Sequence, residues 1–303
     1  MAPEAFVICR MVIGSPSRVT VDEKEYRMCS SAVGGLQEIC DAEEKYENLI
    51  ENYVEWESAI SQHALRQMVS FEIGYNEVQD SRKFIARKLF NLLASARLYL
   101  DSLPKHTKRI FPEDQAAVQC IKNELSAQYD SRLSYRVMEA LRNYSQHAAL
   151  PIHGITTHAS WDRASEPYAL SFAVLPTLDR KQLAEDGNFK KSVLDEILQL
   201  EKIELKLIVR EYIESVSLIH NAFRKAIGPK SGVWVTQLAS STGCFAREFP
   251  DEGTIGLAVL PVDDRGLGAG EPVYIAGPMV DYLAHMQQKH ATMLNFAKRR
   301  VDF

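Results

Sequence analysis

The pattern of hydrophobic and polar positions predicts a short β-hairpin near the start of the chain. Residues 5–13 and 18–28 are rich in β-branched and other apolar side chains, and they flank a turn-forming cluster at 14–17. Two such runs separated by Gly, Ser and Pro are typical of antiparallel strands joined by a turn. We therefore expect a hairpin-like N-terminal extension over residues 1–30.

A helical period follows the hairpin. Between Leu36 and Met68 there is no Gly or Pro, and apolar side chains recur at spacings of three and four, as in an amphipathic helix. Three further helices are predicted at 77–103, 112–127 and 130–150, with limits set by Pro and Gly residues. The region 31–155 is therefore expected to form a bundle of four helices with short loops.

The second half of the chain, residues 156–303, has a mixed pattern that predicts an α+β region of unknown role. The predicted fold class is thus mainly α, with a helical bundle followed by an α+β half. The predicted strands are 168–175, 233–238, 254–262 and 273–276, and the predicted helices are 190–226 and 278–300.

Composition and charge narrow the class of protein. The chain has 303 residues, 46% hydrophobic and 25% charged, which is ordinary for a folded protein and excludes a disordered or collagen-like chain. The formal net charge is −5, so any contact with nucleic acid must use a local basic patch. The five cysteines are widely spaced with no C-x-x-C, and we find no targeting segment and no apolar run long enough for a membrane helix. We expect a cytoplasmic protein with reduced thiols.

Charge is distributed unevenly along the predicted bundle. Seven acidic residues and one basic residue lie between 41 and 57, whereas eight basic and two acidic residues lie between 80 and 109. Two interpretations stay open: solvated helix faces that pair with each other, or a basic strip for a phosphate backbone. The candidates for RNA-backbone contact are Arg82, Lys83, Arg87 and Lys88.

The fourth predicted helix carries the side chains best suited to chemistry. On a helical wheel, Arg142 and His147 flank an arc with Asn143 between them, and apolar residues occupy the opposite face. Arginine is a fixed bidentate donor to phosphate, histidine exchanges a proton near neutral pH, and asparagine orients either group. Polar side chains on the same side of the wheel are candidate supporting residues: Tyr135, Arg136, Glu139 and Gln146.

The sequence Arg142-Asn143-x-x-x-His147, late in a helical bundle, resembles the R-(polar)-x3-H motif of the HEPN superfamily. The resemblance covers roughly residues 35–155. It implies a HEPN-like all-α bundle that forms a homodimer and cuts RNA in the shared cleft without metal or cofactor. Arg142, Asn143 and His147 are then the catalytic residues. The family is found in toxin–antitoxin and phage-defence systems, so an antitoxin or defence partner is a further expectation. The alternative is a non-catalytic HEPN-like module that binds nucleotides or proteins.

One subgroup of toxins extends the motif to R-x4-H-x-Y, and Ala149 occupies the tyrosine position in this chain, so neutralisation by modification of that tyrosine is not expected. Other clusters have more ordinary interpretations. His153 and His158 are expected in loops, because Pro151 and Gly154 disrupt a regular metal geometry with His147. Asp263 and Asp264 are expected to form a polar turn between strands, and His285 and His290 are expected at the surface. The glycine-rich segment 266–270 is not in the context of a dinucleotide-binding motif, and no base is positioned by sequence for a nucleophile within Ser240–Cys244.

Overall fold

The computed structural model describes residues 5–14, 16–70, 74–164, 166–185, 187–200, 203–275 and 277–299. The helices are α1 (Glu23–Ser70), α2 (Tyr75–Ile110), α3 (Gln115–Ser131), α4 (Leu133–His147), α5 (Arg180–Glu185), α6 (Lys191–Leu198), α7 (Leu205–Glu248) and α8 (Gly277–Lys289), with a 3₁₀ turn at Phe296–Lys298. The strands are β1 (Ala5–Arg10), β2 (Arg18–Val21), β3 (Gly154–Asp162), β4 (Ala169–Thr177), β5 (Leu257–Val262) and β6 (Val273–Tyr274). The prediction of a mainly α protein with an α+β C-terminal half is confirmed.

The chain divides into two compact units, and four helices contribute residues to both. The first unit comprises residues up to Glu44, Leu103–Val118 and Phe223–Ala291. The second comprises Lys45–Ser102, Gln119–Ala222 and the residues from Thr292 onward. The three domains expected at 1–30, 31–155 and 156–303 follow other limits and stay a prediction.

An antiparallel sheet of order β2-β1-β5-β6 lies in the first unit. Strands β1 and β2 form the predicted hairpin, and the expected strand 254–262 appears as β5, which pairs with β1. One side of this sheet buries Ile8 and Val259, which are fully enclosed, while Val7, Cys9 and Val262 form a small cluster on the other side. Alternation along β1 therefore gives the sheet two apolar faces.

Aromatic and branched side chains fill the interior of the second unit. The predicted helical period is confirmed in α1, where Leu49, Tyr53, Trp56 and Ile60 are all buried. Tyr46 of α1 stacks on His220 of α7 with ring centroids 3.7 Å apart, and Tyr99 of α2 bonds His220 Nδ1 at 2.7 Å. The unit also holds the hairpin β3–β4, of which sequence reasoning predicted only the second strand.

Helix α1 begins at Glu23, well before the predicted start at Leu36, so the second hairpin strand ends at Val21 instead of residue 28. Asp22 caps the helix, because its Oδ1 accepts a hydrogen bond from the Glu25 amide at 2.7 Å. The pattern Asp-x-x-Glu at 22–25 is a helix-capping signal that accounts for this earlier start. Helix α3 likewise starts after a capping residue, Asp114, and not at Pro112.

The predicted end of the second helix at Leu103 is wrong, since α2 continues through Pro104 to Ile110. Proline inside a helix costs about 3 kcal/mol. Packing offsets that cost here, because the residues around and after the proline are almost fully buried: Leu103, Thr107 and Ile110.

The predicted helix 190–226 is two helices, α6 and α7, and α7 passes through Gly228 and Pro229 to Glu248. The predicted strand 233–238 is wrong because this segment is helical. Trp234, Leu238 and Phe245 are buried at helical spacing, whereas Val233 is exposed.

The last helix is shorter than predicted and ends at Lys289. Several positions named in the sequence predictions lie outside the described residues: Ser15 of the turn, Glu201 and Lys202 of the long helix, Ala276 at a strand end and Arg300 at a helix end. Strand β6 covers only Val273–Tyr274 of the predicted 273–276.

Candidate active site on helix α4

Helix α4 presents the predicted motif near its C-terminal end. The apolar residues of the helical wheel are buried as expected, with Val137, Met138 and Leu141 fully enclosed. Arg142 is half-buried, and Asn143 and His147 are exposed. Helix α4 therefore fixes the backbone positions of the three motif residues and leaves the side chains of Asn143 and His147 open to solvent.

The side chains of Arg142 and Asn143 are joined by a hydrogen bond. Arg142 Nη1 donates to Asn143 Oδ1 at 2.9 Å, which fixes one end of the guanidinium group. Arg142 Nε is buried and donates to no described residue. No described carboxylate pairs with the half-buried guanidinium, so its charge is available to an anion that reaches its open side.

Hydrogen bonds anchor the residues that lie before and after the exposed His147 in the chain. His153 Nδ1 accepts a hydrogen bond from the Asp179 amide at 2.8 Å, so Nε2 carries the proton and donates to Tyr144 Oη at 3.0 Å. Arg82 Nη1 donates to the carbonyl of Ile152 at 3.1 Å. His147 thus lies just before an anchored connection, although its own ring is exposed.

Three of the four supporting candidates are engaged inside the protein. Tyr135 is buried between Tyr129 and Tyr212, and burial raises its pKa. Arg136 Nη1 donates to the carbonyls of Tyr129 and Asp130, and Nη2 contacts Glu196 at 2.5 Å. These two side chains hold α4 in place, so their evident contribution is structural.

Glu139 also faces the interior. Its Oε2 accepts from Arg97 Nη1 at 3.1 Å and its Oε1 accepts from Tyr212 at 3.4 Å. Burial raises the pKa of Glu139, and the nearby Arg97 charge only partly offsets this effect. Gln146, the fourth candidate, is exposed one residue before His147.

The four candidates for RNA-backbone contact lie on α2 and differ in availability. Lys83 and Arg87 are exposed; Lys83 is 3.4 Å from Asp80, and the Arg87 guanidinium stacks over Phe84. Lys88 pairs with Glu55 at 2.6 Å, so the acidic and basic segments pair at least at this point. Arg82 donates a hydrogen bond to the carbonyl of Ile152, as described above.

The other clusters noted in the sequence mostly occupy ordinary positions. His158 lies on strand β3 and not in a loop, and His153 lies directly before that strand. The Asp263 carboxylate accepts the amides of Arg265 and Leu267, as expected of a turn. His285 is exposed, as predicted, but His290 is buried, because α8 ends just before it.

Sequence reasoning missed a second group of charged residues in the second unit. Glu57 contacts Arg210 Nε at 2.5 Å and Lys206 Nζ at 3.1 Å beside a cavity. Nothing in the sequence signals this pairing, because helices α1 and α7 bring together residues that lie far apart along the chain.

Two properties of the described residues bear on the class of site. No group of three or more His, Cys, Asp or Glu side chains in the described ranges is arranged to hold a metal ion. Among the described helices, none combines the length and apolar composition needed to cross a bilayer. In comparisons with protein-family models, curated proteins and solved structures, nothing matches this chain.

Proposed function

We propose that the protein is a metal-independent endoribonuclease of HEPN type, working as a homodimer. The observation that carries the proposal is the geometry of Arg142: Asn143 fixes one end of its half-buried guanidinium, and no carboxylate among the described residues pairs with it. An exposed imidazole, His147, lies little more than one helical turn further on. A phosphate held by this arginine therefore has an acid–base group nearby.

The reaction that these side chains support is attack of the ribose 2′-hydroxyl on the adjacent phosphate. A bond forms between O2′ and phosphorus and the bond to O5′ breaks, leaving a 2′,3′-cyclic phosphate and a 5′-hydroxyl. His147 exchanges the protons of these oxygens, Arg142 stabilises the charge that develops on the phosphate, and Asn143 orients the arginine. In a homodimer, two copies of the motif face one cleft.

RNA on the basic side of helix α2 would meet Lys83 and Arg87 first, because both are exposed. Arg82 and Lys88 add positive charge nearby, although each also has a partner within the protein. These contacts involve the backbone and carry no sequence preference. A cytoplasmic role in a toxin–antitoxin or phage-defence setting, with an antitoxin or defence partner, forms part of this proposal.

Cleavage of single-stranded RNA in excess EDTA tests the proposal. We expect the wild-type protein to cut RNA and to leave DNA of the same sequence intact, because DNA lacks the 2′-hydroxyl nucleophile. His147→Ala should reduce the rate by about 100-fold or more. His285→Ala is the matched control, since it removes an exposed histidine from another helix, and its rate should equal that of the wild type.

Equal cleavage by the wild type and His147→Ala would contradict the assigned role of the imidazole. Sedimentation of the same samples at micromolar concentration should show a dimer, and a monomeric active enzyme would exclude a site composed of two copies.

A non-catalytic module that binds nucleotides or proteins is the second candidate. The observation that favours it is the use of Tyr135, Arg136 and Glu139 in internal contacts, which leaves few groups free around the motif. Saturable nucleotide or partner binding that survives loss of Arg142 and His147, without RNA scission, would establish this alternative.

A further inference from the structure

A cavity of about 240 Å³ lies in the second unit, apart from the motif on α4. One wall is a face of the hairpin β3–β4, with Thr156, His158 and Thr177. The first two turns of α7 also line it, with Lys206 and Arg210. None of Arg142, Asn143 and His147 lines it. Its volume suits a ligand smaller than a typical drug molecule.

The two cations of this cavity are fixed before any ligand binds. Arg210 Nε contacts Glu57 Oε1 at 2.5 Å, and Arg210 Nη1 donates to the carbonyl of Arg299 at 2.8 Å. Lys206 Nζ lies 3.1 Å from Glu57 Oε2. Glu57 therefore faces both cations, and its contacts orient the arginine before a ligand arrives.

Neutral donors line the same cavity as these cations. The hydroxyls of Thr156 and Thr177 and the ring of His158 make no hydrogen bond with any other described residue. Each has a donor to offer to an oxygen acceptor in the cavity. The rest of the lining is mostly apolar, with Leu175, Pro176, Ile203, Leu205, Leu207 and Ala297.

We propose that this cavity binds a small monocarboxylate with an apolar body. The carboxylate lies between the fixed cations and the threonine hydroxyls, and the hydrocarbon part contacts the leucine and proline side chains. This mixed lining of few directional polar groups and many apolar ones is usual for small-molecule sites.

The charge of the cavity selects a monoanion over a doubly charged phosphate monoester. Glu57 neutralises one of the two cations, and Glu204 also lines the cavity and lowers the positive potential further. A dianion would add one more negative charge than a monocarboxylate beside these two glutamates in a partly enclosed site, which is less favourable. Replacing Glu204 with Gln should therefore tighten carboxylate binding.

Isothermal titration of the full-length protein with hexanoate tests the proposal, with hexanol, hexylamine and inorganic phosphate as comparison probes. We expect saturable binding of hexanoate in the millimolar range or tighter, and none of hexanol or hexylamine. Lys206→Gln should weaken hexanoate binding about 10-fold. Lys181→Gln is the matched control, because Lys181 is an exposed lysine on α5 that does not line the cavity.

Two further variants keep the test independent of any change in folding. Ala297→Phe fills the cavity without changing charge and should abolish binding, whereas Glu204→Gln should tighten it. Hexanoate binding that is absent, matched by hexanol, or unchanged in both Lys206→Gln and Ala297→Phe would overturn the proposal. Tighter binding of phosphate than of hexanoate would overturn the choice of a monocarboxylate. Neither result depends on ribonuclease activity.

Discussion

Two arginines show how pairing with a carboxylate separates a structural side chain from a candidate ligand-binding one. Arg224 donates from Nε and Nη2 to the fully buried Glu43 at 2.8 and 2.6 Å, and its Nη1 donates to the carbonyl of Gln287 near the end of α8. Among the described residues, Arg142 has one side-chain acceptor, Asn143, and no carboxylate partner. The first arginine closes the core of the first unit, whereas the second retains a donor for an anion.

Cysteine reactivity is a prediction at the same scale. Burial raises the pKa of Cys40 to about 11, with further increases from the acidic neighbours Glu44, Asp41 and Glu43. Burial also raises the pKa of Cys29. Since the thiolate is the reactive form, iodoacetamide at pH 8 should label the exposed Cys120 first and leave Cys29 and Cys40 largely unmodified.

Peptide mass spectrometry at successive times measures this order directly. The urea-unfolded protein is the control, because all five thiols should then react at similar rates. Rapid labelling of Cys40 in the folded protein would contradict the burial described for helix α1.

At the scale of helices and strands, local sequence signals predict some elements correctly, whereas the ends of others depend on packing. The hairpin β1–β2 and the amphipathic stretch of α1 follow from residue periodicity, and both are found. The ends assigned at Pro104 and Gly228 are wrong, because buried side chains on the far side, such as Thr107 and Trp234, keep the chain helical. Proline and glycine costs are local, whereas the burial that offsets them depends on neighbours distant in sequence.

Adjacent glycines in α1 provide a matched test of this balance. A Cβ on the exposed Gly34 would meet nothing within 4 Å, whereas one on the buried Gly35 would lie 2.0 Å from Trp234 Cη2. Gly34→Ala should stabilise the protein by about 0.5–1 kcal/mol through helix propensity. Gly35→Ala should destabilise it by about 1–3 kcal/mol through overpacking.

Urea unfolding of both variants, followed by circular dichroism, gives the two free energies of unfolding. Trp234 fluorescence should change only in Gly35→Ala. Equal effects of the two substitutions would show that α1 and α7 do not pack as described in the first unit.

For the molecule as a whole, the part of the candidate site carried by one helix was predictable and the rest was not. Arg142, Asn143 and His147 lie within six positions, so a helical wheel places them together. Burial of Tyr135 and Glu139 depends on where α2 and α7 pack against α4, and a helical wheel carries no information about that packing. The cavity is lined by residues of strands β3 and β4 and of helix α7. These segments lie apart in the sequence, and no spacing between them predicts the cavity.

Two glutamates of the second unit are predicted to make stability depend on pH in opposite directions. Burial alone would raise the pKa of Glu57, but the hydrogen bond from Arg210, the charge of Lys206 and the hydrogen bond from Tyr53 outweigh it and lower the pKa. Its charged form therefore contributes stability above the ordinary glutamate pKa, and this contribution is lost as pH falls through the lowered value. Burial instead raises the pKa of Glu139, so its contribution is present at low pH and is lost as pH rises.

Urea midpoints between pH 4 and 7 for Glu57→Gln and Glu139→Gln test this opposition. At pH 7, Glu57→Gln should lose about 1–3 kcal/mol relative to the wild type, because charge-assisted hydrogen bonds are weakened, and the deficit should shrink toward pH 4. Glu139→Gln should improve relative to the wild type as pH rises, since ionisation of the buried carboxyl no longer costs stability. Parallel pH trends in the two variants would contradict the assigned directions. A constant deficit in Glu57→Gln would mean that the cations beside the cavity do not depend on its charge for their positions.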